Sequence, residues 1–300
     1  MTVPGPRAHG GDGHRVAVAL GLDPAGVLDL SASLNPVAPD PSPMLARHLD
    51  AIGRYPDTTE ATAALAAAIA VAPERLLLTN GGAEAIALVA GRLGRGWADE
   101  DDFALYRKHL AVLDPRGPRL RSDPHNPTGV LASADERAEV WDEAFYPLAT
   151  GRWTAGRDAI AIGSLTKLFA CPGLRLGYVV ADPDVIDDLR ARQPQWSVNG
   201  LAAAALPGLL DSADPSGWAR QIAKLRGELV SVLDAAGLDP QPSRANYVLC
   251  TRAAGLRDRL APRGIVVRDC ASFGRPGHAR IAVPDADGLA RLADALEADT

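Results

Sequence analysis

Ser164-Leu165-Thr166-Lys167-Leu168-Phe169-Ala170-Cys171-Pro172-Gly173-Leu174-Arg175-Leu176-Gly177-Tyr178 places one lysine between two short apolar runs, 159–164 and 174–180. Runs of that length and content predict buried strands. A lysine carried from the end of such a strand into the interior gives up its proton readily, because burial penalises the ammonium form. An amine in that state can attack a carbonyl carbon to form an imine. Ser164 and Arg175 lie on the same segment, and both can reach one phosphate. A lone Ser-x-x-Lys would be an exposed loop lysine; the fifteen-residue string supports a buried, reactive one.

Upstream, the buried strand 76–80 runs into Gly81-Gly82-Ala83-Glu84 and a helix over 83–93. Strand, glycine turn and helix start together cradle phosphate with backbone N–H groups. Residues 140–141 form a strand end at Asp142-Glu143-Ala144-Phe145, and 94–125 is polar and broken by proline, with weak helical pattern at 103–113. Helices are expected at 61–71, 184–192, 199–210 and 217–236. The tail alternates strand 246–250, helix 254–260, strands 265–268 and 280–283, and helix 286–298. This alternation predicts an α/β fold, a mostly parallel sheet flanked by helices, with a smaller C-terminal α+β domain. The expected division is an extended N-terminal arm at 1–44 that joins the small domain, a large domain at 45–190 and a small domain at 191–300.

Of the 300 residues, 47% are hydrophobic and 23% charged, the balance of a soluble globular protein. A net charge of −6 argues against a nucleic-acid partner. It leaves room for a small anionic substrate, because a few arginines set the potential of one cleft. Cys171, Cys250 and Cys270 are odd in number and lack CxxC spacing, so neither a disulfide framework nor a metal site is expected. No run approaches membrane-spanning length and no apolar leader follows Met1, so a cytoplasmic location is expected.

The Lys167 string resembles the cofactor-lysine segment of the fold-type-I pyridoxal-phosphate enzymes, in the branch of the histidinol-phosphate aminotransferases. Further motifs of that family follow in order. Asn126-Pro127-Thr128-Gly129 is similar to its NPTG, Asp142 to the aspartate that pairs with the pyridine nitrogen, and Gly81-Gly82-Ala83 to its phosphate cup. Phe103 matches the aromatic that covers the ring, and Arg54-Tyr55-Pro56-Asp57 a segment whose tyrosine reaches the neighbouring subunit's cofactor. The resemblance implies pyridoxal 5'-phosphate on Lys167, with Ser164 and Arg175 on its phosphate and a homodimer that completes each site.

Closer still, and over nearly the whole chain, is the resemblance to the threonine-phosphate decarboxylases of cobalamin biosynthesis. It is carried by His9-Gly10-Gly11, by Leu28-Asp29-Leu30-Ser31-Ala32-Ser33-Leu34-Asn35-Pro36, by Gln195-Trp196-Ser197-Val198-Asn199, and by the segments at Arg244-Ala245-Asn246-Tyr247 and Val267-Arg268-Asp269-Cys270. It implies His9, Gly10, Ser33, Asn126, Arg268 and Arg280 at the substrate, which would be a small amino-acid phosphate. Phe145 stands where the aminotransferases carry tyrosine. Ser33 replaces an asparagine, and only 23 positions separate Phe103 from Asn126, fewer than a βαβ unit takes. The expectation is a decarboxylase with a trimmed sheet edge. An aminotransferase is the alternative, and a catalytically silent cofactor-binding protein a third reading.

Overall fold

The computed structural model describes residues 2–6 and 9–298. Its central sheet has five strands: β1 (Leu76–Asn80), β2 (Leu120–Ser122), β3 (Val140–Asp142), β4 (Ile160–Gly163) and β5 (Leu176–Val180). They lie in the order β1-β5-β4-β3-β2. β2, β3 and β4 run parallel, and β5 runs antiparallel to both β4 and β1. Leu76, Leu77, Leu78 and Thr79 are all buried, as in a strand covered on both faces, so the apolar run is continuous and does not alternate. Helix Gly81–Leu93 leaves β1 directly and ends at Gly94, whose φ of 68° is left-handed.

Beyond β2 the sheet thins to fragments. Trp97 bridges Arg119 in parallel, and the two-residue strand Arg95–Gly96 pairs with Val112–Leu113. The weak helical pattern at 103–113 condenses to one turn, Leu105–His109. The edge is thus shortened and not removed: Asp114-Pro115-Arg116-Gly117-Pro118 ends the strand Val112–Leu113 after two residues, and Val112 and Leu113 stay exposed.

The N-terminal arm is not extended throughout, as the glycine and proline content suggested. His14-Arg15-Val16-Ala17-Val18-Ala19-Leu20 forms most of a helix, Gly13–Leu20, which buries Val16 and Ala17 and stops at left-handed Gly21. After it, Leu28–Asp29 pairs in parallel with Ile265–Val266. Strands Tyr247–Cys250, Ala279–Ala282 and Arg268–Asp269 form an antiparallel sheet.

Three large cores form among the described residues. One gathers Ile86, Val89, Tyr106, Leu120, Ile162 and Leu189. Of the other two, the first gathers Leu65, Leu76, Leu165, Leu176, Leu206, Trp218 and Ile222; the second gathers Leu229, Leu233, Val248, Ile265, Ile281 and Leu292. Helix Pro215–Ala235 therefore contributes to both. Among the described residues, no helix is long and apolar enough to cross a membrane.

One glycine lets this scaffold bring the site together. A Cβ on Gly177 of β5 would stand 2.5 Å from the carbonyl carbon of Gly81 and the nitrogen of Gly82, where backbone cannot yield. Gly177→Ala should destabilise the protein by about 1–3 kcal/mol through overpacking, read as a lower urea midpoint with an unchanged slope.

Candidate active site

Lys167 sits in the one-turn helix Leu165–Leu168 that follows β4. Its Nζ donates to Ala32 O at 2.7 Å. The amine pKa falls to about 8, chiefly through burial and then through the neighbouring positive charges of Arg280 and Arg175. The arm is bound to the same turn: Asn35 N donates to Lys167 O at 3.1 Å, and Asn35 Nδ2 donates to Leu168 O at 2.9 Å. Residues 31–35 thus roof the lysine.

Asp142 ends β3, buried. Its Oδ2 accepts from Tyr106 Oη at 2.8 Å and its Oδ1 from Ala144 N at 3.0 Å. Burial raises the carboxyl to about 6, against the lowering effect of those two donors. The cis peptide Asp123-Pro124 leads into Asn126-Pro127-Thr128-Gly129, where Gly129 closes the turn with its N–H on His125 O at 2.6 Å. Asn126 Oδ1 accepts from Arg280 Nη1 at 2.5 Å. Phe103 meets His9 edge-on, ring centroids 5.3 Å apart.

At the other end of the cleft, Gly81, Gly82 and Ala83 open helix Gly81–Leu93. Gly81 has φ 76°, and a Cβ there would lie 2.4 Å from Arg175 Nη2, so the guanidinium lies against bare backbone. Arg175 is itself left-handed, φ 58°, which turns its side chain toward the helix start. A Cβ on Gly82 would be 3.7 Å from Ser164 Cβ. Two glycines, a hydroxyl and a guanidinium therefore surround one helix N-terminus, an anion cradle.

Arg268 and Arg280 oppose each other across neighbouring antiparallel strands, so both side chains rise from one sheet face. Both are buried. Arg280 lies 4.7 Å over the Tyr247 ring and donates to Ser31 O at 3.2 Å, while its Nε has no partner among the described residues. Arg268 Nη2 donates to Ser272 Oγ at 2.7 Å. Burial and the proximity of Arg280 lower the Arg268 pKa to about 10. Buried Ser33 Oγ and His9 Nδ1 also lack partners among the described residues. Ser33 is held at φ 49° while its carbonyl accepts from Asn246 Nδ2 at 2.9 Å. Gly10 passes so close under Ser31 that a Cβ would overlap its carbonyl oxygen.

Tyr55 stands apart from this cluster. It is 75% exposed and stacks on Trp196 at 4.5 Å. Tyr106, Asn246 and Tyr247 were not expected among the site residues, although Asn246 and Tyr247 lie inside a matched segment. Asn246 and Tyr247 stand at the head of an otherwise apolar strand, whereas Tyr106 runs into Arg107-Lys108-His109 and carries no such mark.

Residues 122–296 match the family described as aminotransferase class I and II. The threonine-phosphate decarboxylase of Salmonella typhimurium is 34% identical over 351 residues, covering 96% of this chain and 95% of that protein. That alignment is longer than the 300 residues of this chain, so the shortening lies inside the matched span. The histidinol-phosphate aminotransferase of Symbiobacterium thermophilum is 34% identical over 212 residues, covering 63% of this chain and 59% of that protein. The crystal structure of a histidinol-phosphate aminotransferase from Sinorhizobium meliloti, in complex with pyridoxal-5'-phosphate, superposes with a TM-score of 0.80 at 18% identity, over 95% of this chain and 94% of that one.

A lysine pKa near 8 has a direct chemical readout. Below that pH the amine is protonated and inert; above it the free amine reacts. Reductive methylation of Lys167 with formaldehyde should rise through a midpoint near pH 8, as followed by peptide mass spectrometry; a rate that stays flat between pH 7 and pH 9 would contradict it.

Proposed function

This chain belongs to the aminotransferase class I and II family, and from that premise we propose that it decarboxylates O-phospho-L-threonine, releasing CO2 and leaving 1-amino-2-propanol phosphate. It is an enzyme of a pyridoxal-phosphate-dependent family. The cleft fits the cofactor. The bare backbone of Gly81 and Gly82 beside Arg175 suits a phosphate, and buried Lys167, with its lowered pKa, suits an aldehyde carbon. The Asp142 carboxylate, 36 residues from the tyrosine that braces it, suits a protonated ring nitrogen. When bound, the cofactor supplies an electron sink for the bond broken at the substrate Cα.

In this reading Gly81, Gly82, Ala83, Ser164 and Arg175 hold the cofactor phosphate. Asp142 fixes the charge on the ring nitrogen, Asn126 steadies the ring oxygen and Phe103 covers the face. Lys167 Nζ carries the cofactor and delivers the proton that replaces the lost carboxylate at Cα. The observation that carries the substrate assignment is the buried Arg268 and Arg280 pair. Two guanidinium groups held side by side away from water repel one another and lose hydration, and a ligand with two anionic groups relieves both penalties. A phosphorylated amino acid has a phosphate and a carboxylate. Arg280 would take the carboxylate and orient it for loss from Cα, and Arg268 and His9 would take the phosphate, over Gly10 and Ser33.

Phe145 supports decarboxylation over amino transfer. It is buried, edge-on to Tyr247 at 5.1 Å, with its ring centroid 5.9 Å from Lys167 Nζ, and it has no hydroxyl to offer the cofactor ring. Amino transfer is the second reading, favoured by the equal identity to a histidinol-phosphate aminotransferase.

We also propose a homodimer formed through the exposed patch of Leu49, Ile52, Tyr55 and Trp196, which brings Tyr55 to the partner's cofactor. The large domain is proposed to extend past 190, with the change of core inside helix Pro215–Ala235.

Incubation with O-phospho-L-threonine should release CO2 without accumulating pyridoxamine phosphate; keto-acid formation without CO2 would decide for amino transfer. Lys167→Ala should remove the cofactor's absorbance band. Arg280→Ala and Arg268→Ala should each lower kcat/KM for CO2 release by one to two decades, the equivalent of about 1.5–3 kcal/mol for a charge-assisted contact. Tyr55→Phe should weaken cofactor binding in a protein that sediments as a dimer; a monomer with full cofactor occupancy would overturn the interface.

A further inference from the structure

The shortened segment between Gly94 and Ser122 contributes more than a ring cover. Tyr106, on the single turn Leu105–His109, is fully buried and turns its hydroxyl onto Asp142 Oδ2. With Ala144 N on Oδ1, both carboxylate oxygens are engaged, and the carboxylate plane cannot rotate. Behind Tyr106 lies a second buried carboxylate. Asp102 Oδ1 accepts from Ser122 Oγ at 2.6 Å and from Phe103 N at 2.7 Å, and Asp102 Oδ2 accepts from Ser122 N at 2.9 Å. Ser122 Oγ in turn accepts from Asn126 N at 2.8 Å. One carboxylate thus ties the ring-covering segment, the end of β2 and the Asn126 turn together.

We propose that Tyr106 is a positioning residue for Asp142, held by the buried pair Asp102 and Ser122, and that this polar network does here what a longer sheet edge would otherwise do. Among the described residues, the outer side of β2 is met by a single isolated bridge, Trp97 to Arg119 at its leading end, so few ladder hydrogen bonds orient the segment. Side-chain hydrogen bonds to a carboxylate are the stronger kind, and three donors on Asp102 satisfy it internally. The arrangement has an electrostatic cost: burial raises the pKa of Asp102 and Asp142 alike, and each carboxylate opposes ionisation of the other. The groups facing Asp142 are Tyr106 and Asp102 from this segment, Lys167 from the turn after β4, Tyr178 from β5 and Tyr247 from the small sheet.

This inference rests on Asp142 being the partner of the cofactor's ring nitrogen. The test uses the full chain labelled with 13C at aspartate side-chain carboxyls, with the Asp142 resonance identified by its loss in Asp142→Asn, and measures pyridoxal-phosphate affinity on the same samples. The phenol lowers the Asp142 pKa, so Tyr106→Phe should move its midpoint upward from about 6 and raise the Kd for pyridoxal phosphate about tenfold at pH 7. Asp102 raises that pKa by like charge, so Asp102→Asn should move the midpoint downward. Opposite displacements in variants with wild-type circular dichroism support the proposal; general loosening would move both the same way. Unmoved midpoints, or a common direction, overturn the network while leaving Asp142 in its assigned role. If Asp142→Asn leaves pyridoxal-phosphate affinity unchanged, the assignment of Asp142 falls and the network's purpose falls with it.

Discussion

Crowding of positive charge in a cleft shielded from water is the constraint on which the rest of this structure depends. Lys167, Arg175, Arg280 and Arg268 converge there, and the first and last of these have pKa values pulled down to about 8 and about 10. Isolated charges in such a place cost several kcal/mol each unless a counter-charge arrives. The protein supplies few of its own: Asp142 and Asp29 are the carboxylates that act on Lys167. Asp12 and Asp269 act in the same way on Arg268, and anionic ligands of the kind proposed above would relieve the charge that remains.

The carboxylates that are present act as architecture as well as counter-charge. Asp29 Oδ1 accepts from Ser31 N and Ser31 Oγ, and its Oδ2 accepts from Gly13 N, which fixes the bend of the arm over the lysine. Asp12, also buried, pairs with Arg15 and Arg257 and anchors the arm's start. Arg157 bridges Asp123 and Glu143 while lying 3.9 Å over the Trp141 ring, so the strand end that carries Asp142 is braced from beneath. Asp12, Asp123, Glu143 and Arg257 are buried with their partners and hydrogen bonds, the condition under which a buried ion is tolerated, while Arg15 and Arg157 reach them from partly exposed positions.

Much of the site was legible because the chemistry demands particular side chains in a particular order. Lys167, Asp142, Asn126, Arg175 and the Gly81-Gly82 turn were readable as residues, and the strands that deliver them announce themselves by continuous apolar runs. The arm was harder. Its glycines and prolines suggested an extended path, whereas Val16, with Leu20 beside it, found a face to bury against Ala261 and Val266, more than 240 residues away. Such tertiary contact overrides local composition, and no local pattern reveals it. Tyr106 escaped for the same reason: its role is set by a carboxylate 36 residues further on. The compression around 94–122 was visible as missing length, but the bridge of Trp97 to Arg119 that preserves the edge depends on how two polar stretches meet in space.

The roof over Lys167 has a consequence for when the enzyme can come into being. Residues 31–35 are held from above by Asn246, 213 positions later in the chain, and the arm's first residues by Arg257, whose Nη1 donates to Pro4 O across 253 positions. Contacts of such sequence separation close late, after local helices and the central sheet have formed. On a ribosome, where synthesis proceeds from the N-terminus, the arm leaves the exit tunnel before the residues that hold it. The lysine turn is therefore made before Asn246 and Arg257, which fasten the roof over it, have been added. Closing of the roof thus waits for the small domain, and a chain stalled before Asn246 would carry every residue proposed to hold the cofactor yet lack the side chain that fastens the roof.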